Sequence, residues 1–496
     1  MTSNRNTLGR TLLAYLPVNL ANVLVSFGLI VVLTRLLSAE EFGRYALAMI
    51  TLQFAHMGAF TWLEAAMARF QARAERDNDE ASHLHTLYAL GAGLGLFLTF
   101  MFLAIVYLLP LSREMQTVLA FALGSAGLQA VFNLGMEAHR ASHRIIRYSL
   151  TYSGQTLLSF TIGIALVMLT PLRESGPFLG IIIGLLVGLM VDLPRMLSRQ
   201  SGGRIEAGRA RRYAAYGLPL CLSLLLGYTL NSSDVYIIAA LMGEASAGQY
   251  NAGYNLANRS LEILFVWVSM AMTPTAIAAF EKVGTEASRD VMRSYGASLL
   301  WIVMPAAVGI ALVSNDAGFI LGESVRTEAV QVMPLIAFAG LMNGIVTYYV
   351  QRAFMFSGRT QDIVWLMIPP VLLNIGLNFL LIPRFGLMGA VAATLAGYGA
   401  ALILTVIAAR RHYPLPLPIK AAAQIALACA VMAICVQLLP LQRYEPGLVT
   451  LIIKAGTGGA AYLATCWIIN AADCRTLVRQ GLETLAARRR AVEAAS

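Results

Sequence analysis

Between Asn251 and Glu262 an otherwise apolar stretch carries Asn251, Tyr254, Asn255, Asn258, Arg259 and Glu262 at steps of three and four residues. On a helix such steps put most of the set on one face. The row offers donors, acceptors and one positive charge, and the planar fork of Arg259 suits a phosphate. Glu262, one turn on, could balance that charge or titrate. Upstream stand Asn231, Ser232, Ser233 and Asp234. A helical hairpin would bring Asp234 opposite residue 255, about a turn from Arg259. An Asp234–Arg259 pair there would either line a polar cavity or pin two helices together. Asn19 and Asn22 share a face three residues apart, with Arg35 beyond them; Gln53, His56 and Glu64 form a further group. His56 reads as the single histidine within an apolar segment, the other five falling in connecting loops. It could be a packing residue or a proton carrier. Lys454, flanked by Gly456, Gly458 and Gly459, could reach outward to the membrane surface.

Other chemistries find no support. The lysines are Lys282, Lys420 and Lys454, none followed by Ser or Thr, so there is no phosphate-binding loop. Asp77-Asn78-Asp79 imitates an acidic metal dyad but reads as a solvated loop. His139 and His143 are four apart without the glutamate of a zinc-protease helix. Cysteines 221, 429, 435, 466 and 474 are odd in number and lack CxxC spacing, so neither disulfides nor zinc are expected. The expectation is a protein with no catalytic residues, no metal and no cofactor.

The elements that must carry these residues follow from composition. Of 496 residues, 58% are hydrophobic and 12% charged, against about 25% charged in a typical soluble domain. That excludes a cytosolic enzyme and a disordered chain. The apolar residues run in stretches long enough for helices to cross a bilayer, whereas a β-barrel would show ten-residue alternation. Fourteen spans are expected, at about 12–34, 45–67, 87–109, 115–136, 148–170, 177–197, 214–241, 247–279, 294–313, 329–351, 362–382, 386–409, 420–439 and 447–470. The first exceeds a signal peptide in length and lacks a cleavage site, so it reads as a retained span. The final pair could instead be a re-entrant hairpin. With the N-terminus inside, only Arg35, Arg44, Arg113, Arg173, Arg326, Arg384 and Arg443 fall in outer segments, while Arg259 and Lys454 fall within spans. All other Lys and Arg are cytoplasmic, which places both termini there. The net charge of +10 thus describes a basic membrane face, not a nucleic-acid surface. The basic segment Arg475 to Arg490 would lie on the anionic inner leaflet.

The chain also repeats itself. Leu36-Leu37-Ser38-Ala39-Glu40-Glu41-Phe42-Gly43-Arg44-Tyr45 follows span one, and Leu241-Met242-Gly243-Glu244-Ala245-Ser246-Ala247-Gly248-Gln249-Tyr250 follows span seven. Leu, Gly and Tyr recur at identical spacing. Pro17 and Pro219 nearly match, and His143-Arg144 is echoed by Gly358-Arg359. Six spans followed by six more in the same orientation is a transporter architecture with its site between repeats. The expected organisation is an all-α polytopic membrane protein with two pseudo-symmetric six-helix lobes, 1–212 (spans 1–6) and 213–410 (spans 7–12). A helix pair at 411–471 and a basic cytoplasmic tail at 472–496 complete it. Pro17, Pro219, Pro274, Pro305 and Pro369-Pro370 favour bends within spans.

Three segments resemble one family. Arg35 through Tyr45 resembles the first-hairpin signature of the polysaccharide-transporter family of oligosaccharide flippases, in the multidrug/oligosaccharidyl-lipid/polysaccharide exporter superfamily. Asp234-Val235-Tyr236-Ile237-Ile238 leading to Gly248-Gln249-Tyr250 resembles its seventh-to-eighth span, although relatives often place Arg where Val235 stands. Asn374 through Tyr398 resembles spans eleven and twelve. The resemblance covers about 1–410. It implies a multi-pass protein of the bacterial inner membrane that flips an undecaprenyl-pyrophosphate-linked oligosaccharide for surface or exopolysaccharide synthesis, lipopolysaccharide included. Alternating access would operate around a V-shaped cavity, with spans thirteen and fourteen offering a groove for the lipid tail. Implied partners are the lipid-linked oligosaccharide, membrane lipids, a glycan polymerase and export machinery. The substrate-facing residues would be Arg259, Glu262, Asp234, Asn258, Asn255, Asn231, Asn19, Asn22, Gln53, His56 and Arg35. A multidrug or cation exporter of the same superfamily is the nearest alternative. A glycan polymerase or ligase would need a large outer loop, which the short connections lack. A non-transporting scaffold is a further alternative.

Overall fold

The computed structural model describes residues 2–283, 285–413, 415–441, 444–476 and 479. Every long element among them is an α-helix: α1 (Thr2–Leu36), α2 (Ala39–Ala59), α3 (Thr61–Arg76), α4 (Glu80–Leu108), α5 (Arg113–Gly124), α6 (Ala126–Ala141), α7 (Ile145–Leu169), α8 (Gly176–Gln200), α9 (Ala207–Met242), α10 (Glu244–Val283), α11 (Thr285–Ala317), α12 (Glu323–Ile345), α13 (Gln351–Phe356), α14 (Asp362–Phe385), α15 (Leu387–His412), α16 (Ile419–Gln437) and α17 (Leu448–Ile469). Helices are forced by the solvent. Hydrocarbon cannot satisfy a backbone N–H or C=O, so each apolar stretch must close its hydrogen bonds within itself. Thirteen helical stretches are long and apolar enough to cross a membrane, and α2 with α3, bent by 48°, forms a fourteenth. Each overlaps one expected span. Leu108, Leu169 and Trp365 are 84%, 82% and 73% exposed, an apolar surface that suits lipid and not water.

Two details depart from the expected spans, while the long eighth span is as expected. The second span breaks at Phe60, between α2 and α3, where no proline marks the bend. Helices α4 and α6 extend past the expected ends. His83 and His139, read as loop residues, are therefore helical and buried. Helix α10, at 40 residues, is about 60 Å long, roughly twice the hydrocarbon thickness. Of the tail at 472–496, residues 477–478 and 480–496 lie outside the described residues.

The chain forms two compact units. The first comprises Met1–Ala252, Leu321–Val325 and Asn378–Leu387; the second comprises Gly253–Ile320, Arg326–Leu377 and Met388–Ser496. In the first, α7 and α8 pack through glycines that recur every fourth residue on α8. A Cβ at Gly180 would stand 2.5 Å from the Gly163 nitrogen, and one at Gly184 2.1 Å from the Ser159 hydroxyl. Small residues at this spacing let membrane helices meet backbone to backbone. In the second, α16 and α17 pack together and onto α11. Lys454 of α17 does not reach outward: its ammonium lies 2.5 Å from the carboxylate of Asp316, itself 2% exposed. The protein supplies a nearby acid, which is a better partner than a distant interface.

Candidate functional site

In the second unit, the polar row on α10 divides between two faces. Tyr254 is buried and its hydroxyl lies 3.0 Å from that of Tyr398. Asn258 turns toward α12, its Oδ1 2.9 Å from where a Cβ on Gly340 would be. A Cβ on Gly344 would strike the Phe265 ring at 2.0 Å, so glycines on α12 bring it close to this face. Asn255 is half-buried on the other face, with exposed Arg259 and half-buried Glu262 beyond it. Arg259 Nη1 donates to Glu262 Oε2 at 2.9 Å, with side chains 50% and 41% exposed. The split follows from helix geometry, because neighbours such as 258 and 259 point about 100° apart.

Arg259 lies about 22 Å along α10 from its first residue, at 1.5 Å per residue. It falls inside Glu244–Phe280, a stretch long and apolar enough to cross a membrane. A half-exposed ion pair facing acyl chains there would be costly, so this face calls for water. The arginine is charged yet only partly engaged, a suitable state for exchanging one carboxylate for a phosphate.

The first unit holds the other candidates. Asp234 is fully buried on α9. It accepts hydrogen bonds from the Tyr250 hydroxyl and the Val235 N–H, so here it fastens α9 to α10 and touches no open space. Asn231, one turn earlier, is half-buried, as are Asn22 on α1 and Gln53 on α2; Asn19 and Arg35 are exposed on α1. His56 is buried, and its Nε2 donates to Glu64 Oε1 at 2.8 Å across the α2–α3 bend. Asn133 Nδ2 of α6 donates to the same oxygen at 3.0 Å. The histidine thus sits in a built network that holds the bend.

Two further clusters were not foreseen. Near the cytoplasm-assigned end, His139 Nε2 donates to Asp192 at 2.9 Å and Arg147 donates to the same carboxylate at 3.0 Å. At the opposite end the two copies of the repeated turn meet. Ser38 and Glu41 form a reciprocal cap that starts α2. Gly243, at φ 92°, turns the chain from α9 into α10 in the left-handed region that glycine tolerates. A Cβ on Gly43 would lie 1.9 Å from the Glu244 carbonyl oxygen, and one on Gly248 2.4 Å from that of Ala39. The repeated glycines are therefore the crossing point of α2 and α10. Beside them Arg44 donates to Glu174 (2.7 Å), Glu244 (3.0 Å) and Glu40 (3.1 Å). The segment leading into α12 joins the same end: the Gly322 N–H donates to the Thr34 hydroxyl at 3.1 Å. Among the described residues no group of three or more His, Cys, Asp or Glu is placed to hold a metal.

Comparison with known proteins connects this geometry to a family. Residues 32–325 match the model of a polysaccharide biosynthesis protein family. No curated protein sequence matches the chain. Among solved structures, the lipid II flippase MurJ in an inward closed conformation superposes with a TM-score of 0.76 at 13% identity, over 94% of this chain and 100% of that one. An inward-facing multidrug resistance MATE family transporter of the MOP superfamily gives 0.66 at 15% identity, over 78% and 93%. A eukaryotic MATE transporter gives 0.55 at 14% identity, over 80% and 94%. The chain is thus a multi-pass membrane protein with the fold shared by MurJ and MATE transporters, and it belongs to the polysaccharide biosynthesis protein family.

Proposed function

We propose that this protein is a flippase that moves a lipid-linked oligosaccharide, carried on undecaprenyl pyrophosphate, across the bacterial inner membrane for cell-surface or exported polysaccharide. Both termini face the cytoplasm in this reading. The observation that carries it is the half-exposed Arg259–Glu262 pair within a helix apolar enough to cross a membrane, with Asn255 beside it, in a chain of a polysaccharide biosynthesis family. A sugar headgroup bearing pyrophosphate needs an anion site and hydrogen-bond partners to replace water on its way across. Arg259 takes the phosphate, Glu262 balances the empty site, and Asn255 holds a sugar hydroxyl, while Asn258 packs against Gly340 of α12 and positions that face. Asn231, Asn19, Asn22, Gln53 and Arg35 provide further polar contacts, while Asp234 and His56 position the helices that bear them. The repeats 1–212 and 213–410 exchange access between the membrane faces. The contacts of Arg44, Gly43 and Gly248 keep the outer ends together in the inward state.

Reconstitution tests this. Purified protein in liposomes is expected to translocate an undecaprenyl-linked oligosaccharide; absence of any protein-dependent translocation of lipid-linked sugars refutes the proposal. The likeness to multidrug MATE structures supports one other reading, a drug or cation exporter. Drug extrusion without a polysaccharide defect on deletion would favour it.

A further inference from the structure

A cavity of about 1030 Å³ lies apart from the α10 row, in the first unit, between α7 and α8 with Ala14 of α1 at its edge. That is at the top of the range for small-molecule sites, and its shape is that of a groove. From Arg144 to Leu158 its lining follows α7 for about 21 Å at 1.5 Å per residue. Half the hydrocarbon thickness is about 15 Å, so the groove starts at headgroup level and ends near the membrane midplane.

The two ends differ in chemistry. At the mouth, Arg144 is exposed and makes no ion pair among the described residues; Glu75 acts on it only at longer range and is shared with Arg199. Arg147 beside it is held by buried Asp192, which also binds His139, so the mouth keeps a net positive charge. Deeper, the walls are Leu150, Leu158, Val187 and Val191. Gly154 leaves the floor open, since a Cβ there would meet nothing within 4 Å. The mouth belongs to the face to which the arginine distribution assigns the cytoplasm.

We infer that this groove binds one anionic glycerophospholipid of the cytoplasmic leaflet, with its phosphate at Arg144 and Arg147 and an acyl chain along Leu150, Leu158 and Val187. Basic pockets between membrane helices at this depth select anionic headgroups. A free phosphate would leave the apolar walls uncovered, and a chain without a phosphate would leave Arg144 unanswered. The assignment does not depend on what the transporter carries.

Native mass spectrometry of the full-length protein, loaded with equal phosphatidylglycerol and phosphatidylcholine, tests the inference. One retained phosphatidylglycerol is expected, preferred about fivefold, the scale on which one basic side chain favours an anionic over a zwitterionic headgroup. Arg144→Gln removes the unpaired cation and Gly154→Leu fills the floor. Each is expected to cut retention at least about tenfold, while Arg113→Gln, at the start of α5 and the opposite end of the first unit, leaves it unchanged. Equal retention of both lipids, or unchanged retention in either groove variant, would overturn the inference. So would retention of undecaprenyl phosphate in place of phosphatidylglycerol.

Discussion

Replacing Arg44 with Gln should loosen the adjoining N-terminal ends of α2 and α10, and the structure sets the scale. Arg44 and Glu174 lie 2.7 Å apart with side chains 11% and 8% exposed. Removing one member of such a buried pair costs about 3 kcal/mol, the lower end of the usual range. Glu244, at 3.0 Å and 26% exposed, adds up to about 1 kcal/mol, and Glu40, 64% exposed, a few tenths at most. Glutamine keeps one donor, so a net cost of about 3 kcal/mol is expected, equivalent to about 150-fold in the equilibrium between fastened and released ends. Hydrogen exchange measures such openings directly. Amides of residues 39–47 and 244–252 should exchange up to about 150-fold faster in Arg44→Gln, while those of α16 and α17 stay unchanged. Arg44→Gln combined with Glu174→Gln should recover most of the protection, because no buried carboxylate is then left unpaired. Unchanged exchange in both segments would refute the idea that these contacts hold the ends together. A uniform increase across every helix would do the same.

Other expectations follow from the packing. Gly43→Ala places a methyl group 1.9 Å from the Glu244 carbonyl, and should lower thermal stability by about 3 kcal/mol, as overpacking does at rigid sites. Lys454→Met leaves Asp316 buried and unpaired, which should cost about 3 kcal/mol in denaturation experiments; adding Asp316→Asn should restore most of it. Glu64→Ala removes the acceptor shared by His56 and Asn133, and a loss of about 2 kcal/mol is expected in the same assay, with normal stability contradicting a role for this network in holding the bend.

Much of the fold was legible because hydrocarbon imposes a simple rule on length and polarity. All fourteen expected spans overlap helices, since about twenty apolar residues leave few alternatives. The bend at Phe60 was not legible, because no proline stands there and Gly58 reads as one more small residue of a continuous apolar helix. The repeat was visible as matching letters, yet its meaning needed three dimensions: Gly43 and Gly248 match because each makes room for the other's helix. Arg44 was read only as an outer-loop charge, since Glu174 is distant in sequence and no local pattern links them. His139 and Asp192 escaped for the same reason, and Lys454 was misread because Asp316 sits in another helix. Within the row on α10, spacing found the polar residues but could not say which would be packed. Tyr254 and Asn258 face tyrosine and glycine neighbours, and the exposed face retains Arg259 and Glu262.

In the proposed mechanism Arg259 meets the phosphate of the passing headgroup. Its most direct test is the translocation rate of an undecaprenyl-linked oligosaccharide in liposomes holding matched amounts of wild-type, Arg259→Lys and Arg259→Ala protein. A loss of at least about tenfold is expected for alanine, the value of one charge-assisted contact, and an intermediate rate for lysine, which keeps the charge without the fork. Alanine protein that inserts normally and flips as fast as wild type would contradict that mechanism.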